Sequence, residues 1–314
     1  MFKYIILNDT TRDFGHIGCK LVINNIKNIF GSENCLYADR DVSINFNKSE
    51  FMQIISSADF VLLNGEGTLH DDNGTVWLEK ARLCHEAKKK IYLINSLWQN
   101  NIVNKKYLSC FDGIYLRDKL SLLEVQKTEK AEATFVPDLS FYSFSQIYKM
   151  VKPAQKDMLI IDNTLKDITH HLLSEAYKHQ ADISFMYEKR RQYFAKKLKY
   201  QLYNLYYHKE FTLLDSVEKV AMYKQIISGR YHACCIAMML GIPCLGISSN
   251  SWKTKSLYQE ADLDSYFINY QKENFTHDIN NFIFREHINW SEKAQNYARI
   301  AEQKIKQTYN EIIS

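Results

Sequence analysis

The chain has 314 residues, 46% hydrophobic and 24% charged, with a formal net charge of +4, which excludes a disordered polypeptide and a strongly basic nucleic-acid binder. At roughly 100–200 residues per domain, this length predicts two domains. Seven cysteines, at 19, 35, 84, 110, 234, 235 and 244, contain no Cys-x-x-Cys pair, so neither a disulfide framework nor a structural zinc site is expected.

In chain order, an apolar run at 4–7 meets polar residues at once and predicts a first strand, not a signal peptide. Helical periodicity follows at 15–30, and strand-like runs at 60–63, 91–95, 113–116 and 134–136 then alternate with helical patterns at 76–88, 103–110 and 119–127. This alternation predicts a parallel α/β sheet. Residues 142–156, polar and aromatic with Pro153, read as a connector. Beyond it come a strand at 158–161, a helix at 165–179, a strand at 182–187, a long helix at 188–208 and a strand at 211–214. Residues 225–228, 231–240 and 244–247 then read as strand, helix and strand, with Gly241 and Pro243 ending the helix, and helices follow at 273–286 and 289–312. Asn289 and Ser291 are the candidate caps of the last helix. The expected architecture is α/β, with two Rossmann-like parallel-sheet domains facing a cleft. The domains are 1–145, 146–272 and a helical segment 273–314 that crosses back to the first. No run reaches the roughly 18 apolar residues of a spanning helix, so a cytoplasmic protein is expected.

Asn64-Gly65-Glu66-Gly67-Thr68-Leu69-His70 directly follows the run at 60–63. Glycines on both sides of Glu66 would let the backbone approach a ligand, and a carboxylate at a strand end is placed as a general base or nucleophile. A tight turn with a surface Glu is the alternative. Asp71 and Asp72 read as solvated, and no metal is expected. Asp138, in Val136-Pro137-Asp138, either converges with Glu66 for acid/base or covalent catalysis or caps the following turn. Arg117 is an anion contact or the partner of Asp118. The loop 9–18, with Arg12 and His16, is a candidate substrate-contacting loop, but it lacks the G-x-G-x-x-G spacing of a dinucleotide site.

Gly229-Arg230-Tyr231-His232 and Ser248-Ser249-Asn250-Ser251 follow successive strands of a βαβ unit, where helix N-termini favour anions. Arg230 can clasp a carboxylate or phosphate bidentately, and His232 can donate to the same anion or protonate a leaving oxygen. Ser248, Ser249, Asn250 and Ser251, with Lys253, either cradle a phosphate or simply cap the next helix. The basic segment 188–208 carries Phe194, Leu198, Leu202 and Leu205 at helical spacing. It is either a peripheral membrane contact or a solvated basic face over the core.

Together these segments resemble the polysaccharide pyruvyl transferase family over most of the chain. The likeness lies in Asn64-Gly-Glu-Gly-Thr-Leu69, in Tyr115-Leu-Arg-Asp-Lys-Leu-Ser121, in Val136-Pro-Asp138, and above all in Gly229-Arg-Tyr-His232 with Gly241-Ile-Pro243 and Lys253. The resemblance implies a glycosyltransferase-B-like pair of domains, acceptor side first and donor side second. It also implies transfer of pyruvate from phosphoenolpyruvate to a sugar hydroxyl as a ketal, in assembly of a surface polysaccharide such as capsule or lipopolysaccharide. Two departures stand out: Glu66 replaces the last glycine of a Gly-Gly-Gly turn, and Asn95-Ser-Leu-Trp-Gln-Asn100 replaces a glycine-proline segment. Retaining Kdo glycosyltransferases are similar in fold and use a Glu and an Asp where Glu66 and Asp138 stand. Ser248-Ser249 is similar, more loosely, to the serine motif with which sialyltransferases of this architecture hold the CMP phosphate. A CMP-activated 2-keto sugar acid is therefore the alternative donor, and a non-catalytic glycan- or anion-binding module is the second alternative. No cofactor beyond the co-substrate is expected. The partner is a glycan acceptor, free or lipid-linked, and no nucleic acid.

Overall fold

Short apolar runs, buried along most of their length, form the central strands Tyr4–Leu7, Phe60–Glu66, Lys90–Ser96, Lys156–Asn163, Tyr223–Gly229 and Cys244–Ile247, as parallel strands covered on both faces require. A computed structural model describes residues 2–12, 16–41, 43, 46–128, 131–184, 186 and 213–313. The chain divides into two compact units, the first made of 1–12, 23–142 and 301–314 and the second of 13–22 and 143–300. The segment 13–22, expected with the first domain, thus belongs with the second unit. There Ile17 N–H donates to the Met186 carbonyl and Gly18 lies against the His232 ring.

In the first unit, β1 (Tyr4–Leu7), β2 (Cys35–Asp39), β3 (Phe60–Glu66), β4 (Lys90–Ser96), β5 (Gly113–Leu116) and β6 (Thr134–Phe135) form one sheet. Its order is β2-β1-β3-β4-β5-β6, and each pairing is parallel, with Tyr4 opposite Phe60 and Glu66 opposite Ser96. The connecting helices are α1 (Ile17–Phe30), which belongs to this unit from Ile23 on, α2 (Lys48–Ser56), α3 (Thr75–Glu86) and α4 (Lys119–Gln126). The segment 103–110, expected as a helix, is a 3-10 helix (Asn104–Cys110), capped by Asp72 Oδ1, which accepts from Val103 and Asn104 N–H.

In the second unit, α5 (Phe144–Tyr148) precedes β7 (Lys156–Asn163), α6 (Lys166–Lys178) and β8 (Asp182–Ser184). Then come α7 (Leu213–Val220), β9 (Tyr223–Gly229), α8 (Tyr231–Leu240), β10 (Cys244–Ile247), α9 (Lys253–Glu260), β11 (Phe267–Ile268) and α10 (Phe275–Phe284). The sheet order β11-β10-β9-β7-β8 is the first sheet's scheme repeated, again parallel. Every residue of α8 is buried, as a helix apolar all round must be. The strand expected at 211–214 is corrected: Leu213 and Leu214 begin α7, where Val217 and Val220 continue a helical period. The expected helix 188–208 lies outside the described residues.

The last helix, α11 (Trp290–Ile313), is shared, its residues through Ile300 grouping with the second unit and those from Ala301 with the first. Trp290 packs edge-on against Tyr266 at 4.6 Å, and Tyr309 packs on Phe30 and Tyr115 at 5.9 and 5.7 Å. Neither expected side chain caps it from the front, for the Ser291 hydroxyl donates to the Gly241 carbonyl and Asn289 takes a left-handed φ of 61°. None of the seven cysteines is in a disulfide.

Lys80 of α3 is buried with its ammonium 2.6 Å from Asp39 Oδ2 and 2.7 Å from the Asp41 carbonyl, and 4.7 Å from the Phe46 and Trp77 ring centres. Removing one member of a buried pair leaves the other charge stranded at a cost of about 3–5 kcal/mol, whereas removing both charges costs far less. Lys80→Ala is therefore expected to lower the urea midpoint steeply, and Lys80→Met with Asp39→Asn to recover most of the loss. Equal destabilisation by single and double variants would contradict the pairing.

Candidate active site

Ligands of open α/β sheets gather beyond the carboxyl ends of the strands, where the strand order reverses. In the first sheet that point lies between β1 and β3, and a buried polar cluster occupies it. Glu66 Oε2 accepts from the Thr10 hydroxyl at 2.6 Å and from Asn64 Nδ2 at 3.3 Å. Asn8 Nδ2 donates to the Asn64 carbonyl at 2.6 Å and to Thr68 Oγ1 at 3.1 Å, while its Oδ1 accepts from Arg40. Asn8, Glu66 and Asn95 have left-handed φ values of 65°, 35° and 52°. Such backbone is costly for a non-glycine residue and persists where the surroundings over-determine it, as at functional sites.

Other predicted residues of this unit have structural roles. Gly65 allows close approach to the next strand, not to a ligand: a Cβ there would stand 2.2 Å from Ser96 Oγ and 2.8 Å from Ser96 Cα. Gly67 lies in the turn closed by Thr68 N–H to the Gly65 carbonyl. His70 Nδ1 is 2.8 Å from Asp71 Oδ2, and this bond is the main cause holding the Asp71 carboxyl below its ordinary value. Asp138, 0% exposed, accepts from Arg117 Nη1 at 2.9 Å and from Ser140 N–H and Oγ at 2.9 and 2.6 Å. It is thus the turn-capping residue and the counter-ion of Arg117. The partner of Arg117 seen here is Asp138, while Asp118 caps α4 through Ser121. Among the described residues no group of three or more candidate metal ligands stands together. The Arg12 side chain lies outside the described residues.

In the second sheet the order reverses between β7 and β9. Arg230 follows β9 and is buried in a bidentate pair with Asp162 at the end of β7, with Nε 2.9 Å from Oδ1 and Nη2 on Oδ2. The fork expected to clasp a substrate anion therefore already holds a carboxylate. His232, in the first turn of α8, faces Gly18, where a Cβ would stand 2.1 Å from Nδ1. His16 meets His232 edge-on with ring centres 5.7 Å apart. His16 Nδ1 accepts from Cys19 N–H at 3.3 Å and lies 3.4 Å from Cys19 Sγ. An imidazole nitrogen that accepts from a backbone N–H carries the lone pair, so this contact favours the tautomer with its proton on Nε2.

Asn163 joins this point to the next strand end: Gly229 packs on its side chain, and its Nδ2 donates to the Ser248 carbonyl at 2.9 Å. Ser248 Oγ accepts from Tyr270 N–H at 2.8 Å, so Ser248 is a structural link. Lys253 Nζ lies 3.4 Å from Asn250 Oδ1. The capping alternative for these serines is not realised, since Trp252 is the N-cap of α9 and no side chain caps it.

The model of the polysaccharide pyruvyl transferase family matches residues 8–251, which takes in both switch points. The chain belongs to this family. With it comes a transferase that modifies polysaccharide. No curated protein matches the chain. Among solved structures, UDP-GlcNAc 2-epimerase of Methanocaldococcus jannaschii, in complex with UDP-GlcNAc and UDP, is similar at 12% identity. Its TM-score is 0.61, over 96% of this chain and 99% of that one. MurG of Acinetobacter baumannii is similar at 12% identity and TM-score 0.56, over 98% and 99%. Likeness at this identity shows the fold, a glycosyltransferase-B-like pair of α/β domains.

Within this pyruvyl transferase family member, sequence reasoning missed Asp162, Asn8 and Arg40, and reached Thr10 only as part of the loop 9–18. Asp162 had a signal: a lone carboxylate directly after the aliphatic run 158–161, the pattern that singled out Glu66. Arg40 had none, because it follows β2, a strand with no clear alternation.

Two outcomes are expected. Nitrogen-15 NMR of the histidine side chains should show His16 as the Nε2–H tautomer, and an Nδ1–H signal would contradict the bond from Cys19. Gly18→Ala should perturb the His232 side-chain resonances while leaving the far-ultraviolet circular dichroism unchanged.

Proposed function

We propose that the protein transfers pyruvate from phosphoenolpyruvate onto two hydroxyls of a sugar as a ketal, with the donor on the second unit and the acceptor on the first. The observation that carries this reading is the placement of Arg230 and His232 of Gly229-Arg-Tyr-His at the switch point of the second sheet, one strand from an uncapped helix N-terminus. Phosphoenolpyruvate carries a carboxylate and a phosphate on one carbon, and this edge offers a guanidinium, two imidazoles and helix N–H groups to them.

The chemistry balances without a cofactor. One sugar hydroxyl adds to C2 of the donor while the methylene carbon takes a proton and becomes methyl. The second hydroxyl then displaces the phosphate. Of the two hydroxyl protons, one replaces that used at the methylene and the other leaves on hydrogen phosphate. In this scheme Glu66 takes a hydroxyl proton, polarised by Thr10 and Asn64. His232 protonates the departing phosphate, Arg230, charge-compensated by Asp162, orients the carboxylate, and Ser249, Asn250, Ser251 and Lys253 face the phosphate. Asp138 positions the loop after β6 and takes no proton. The acceptor is a glycan of a surface polysaccharide, and a lipid-linked glycan meets the same chemistry. No helix among the described residues is long and apolar enough to cross a membrane.

Glu66 also favours a second reading, transfer of a 2-keto sugar acid from its CMP ester, in which that carboxylate attacks or stabilises an oxocarbenium-like carbon. Thermal unfolding separates the two. Phosphoenolpyruvate is expected to raise the midpoint at millimolar concentration, and Glu66→Gln to keep that shift while losing about 10²–10⁴-fold in phosphate release with acceptor. Protection by CMP-Kdo alone would select the second reading, and protection by neither would overturn both.

A further inference from the structure

We infer that Ser249, Ser251 and Thr254 form a receptor for a phosphate dianion at the N-terminus of α9, built from neutral hydroxyls and backbone amides. The inference deepens the proposed function, resting on its phosphorylated donor, and assigns that donor's phosphate and the released hydrogen phosphate to one seat.

The hydroxyls of residues 248–256 fall into two sets. Those at the two ends are engaged, Ser248 Oγ accepting from Tyr270 N–H and Ser256 Oγ donating to Glu260 Oε1 at 2.8 Å. The three between them are not: Ser249 Oγ, Ser251 Oγ and Thr254 Oγ1 are buried with no hydrogen-bond partner. Buried hydroxyls are nearly always satisfied, and an unsatisfied one is costly, so three within six residues call for a common explanation. Each had an ordinary local solution. Serines are among the best helix caps, yet the side-chain cap of α9 is missing. A helical threonine commonly donates to a carbonyl one turn back, yet Thr254 does not.

Their positions define what would satisfy them. Thr254 is 0% exposed and is the second residue of α9. Helical Cα–Cβ bonds tilt toward the N-terminus, so its side chain leans over the turn where the first amides of the helix lack intrahelical acceptors. No acidic residue lies in that turn. Unpaired hydroxyl donors in the segment that opens a helix, beside its free amides and positive end, select an acceptor-rich anion. A phosphomonoester offers three terminal oxygens, one for each hydroxyl, where a carboxylate offers two.

The test uses the full chain and inorganic phosphate, followed by isothermal titration calorimetry. Phosphate should bind the unaltered protein, and Thr254→Val should weaken it about ten-fold or more, with Ser249→Ala and Ser251→Ala acting in the same direction. Without phosphate, Thr254→Val should unfold no earlier than the parent, because valine keeps the volume and removes the unsatisfied hydroxyl. Thr254→Ser should retain binding and serves as the control if valine disturbs folding. Phosphate binding unchanged in Thr254→Val, or absent from the unaltered protein at millimolar concentration, would overturn the site. If pyruvate is transferred while phosphate binding ignores these variants, this inference fails alone. If the variants weaken phosphate binding but no pyruvate is transferred, the proposed function fails and the receptor stands.

Discussion

The first unit depends on a chain of buried amides strung across its strand ends. Arg40 donates to Asn8, Asn8 to the Asn64 carbonyl, Asn95 to Asn64 Oδ1, Leu139 N–H to Asn95 Oδ1, and Asn25 to the Leu139 carbonyl. At a parallel sheet's carboxyl edge the strands stop hydrogen-bonding to one another, and their last polar groups must find partners without water. An asparagine can both donate and accept, so a row of them extends the ladder beyond the sheet in side-chain form. It also tolerates the left-handed backbone that Asn8, just after β1, and Asn95, near the end of β4, both adopt. Glu66 shares that backbone without asparagine's aptitude for it, and its position is set by Thr10 and Asn64.

Buried charge follows a second rule, that each cation at depth meets a carboxylate from a different element. Lys80 meets Asp39, Arg117 meets Asp138 and Arg230 meets Asp162. The pairs span 41, 21 and 68 residues, so each ties distant segments together. This is also why Arg230 does not act as a lone cation. Its charge is offset by Asp162, which holds the guanidinium in one orientation.

Much of the fold was legible because aliphatic runs such as 4–7, 113–116 and 244–247 leave little choice but buried parallel strands, and α8 is bounded by Gly241 as read. The β2 strand was not legible. Cys35-Leu-Tyr-Ala-Asp39 has neither a clean alternation nor an aliphatic run, and its pairing with β1 is a non-local choice. The site divided along the same line. Residues directly after a strand, such as Glu66, Arg230 and His232, could be found from spacing. The pairings themselves, Asp162 with Arg230 and His16 with His232, could not, because pairing across 68 residues in the first case leaves no local trace. Gly65 misled for a related reason: a glycine shows that something comes close, and here it was the neighbouring strand.

The sharing of α11 bears on the order in which the molecule can be completed. Tyr309 is buried against Phe30 and Tyr115, so the last turns of the chain supply part of the first unit's interior. During synthesis the first unit's strands emerge before the second unit and before α11, and remain without that cover until α11 follows. Until then the apolar face that Tyr309 seals is exposed to premature association.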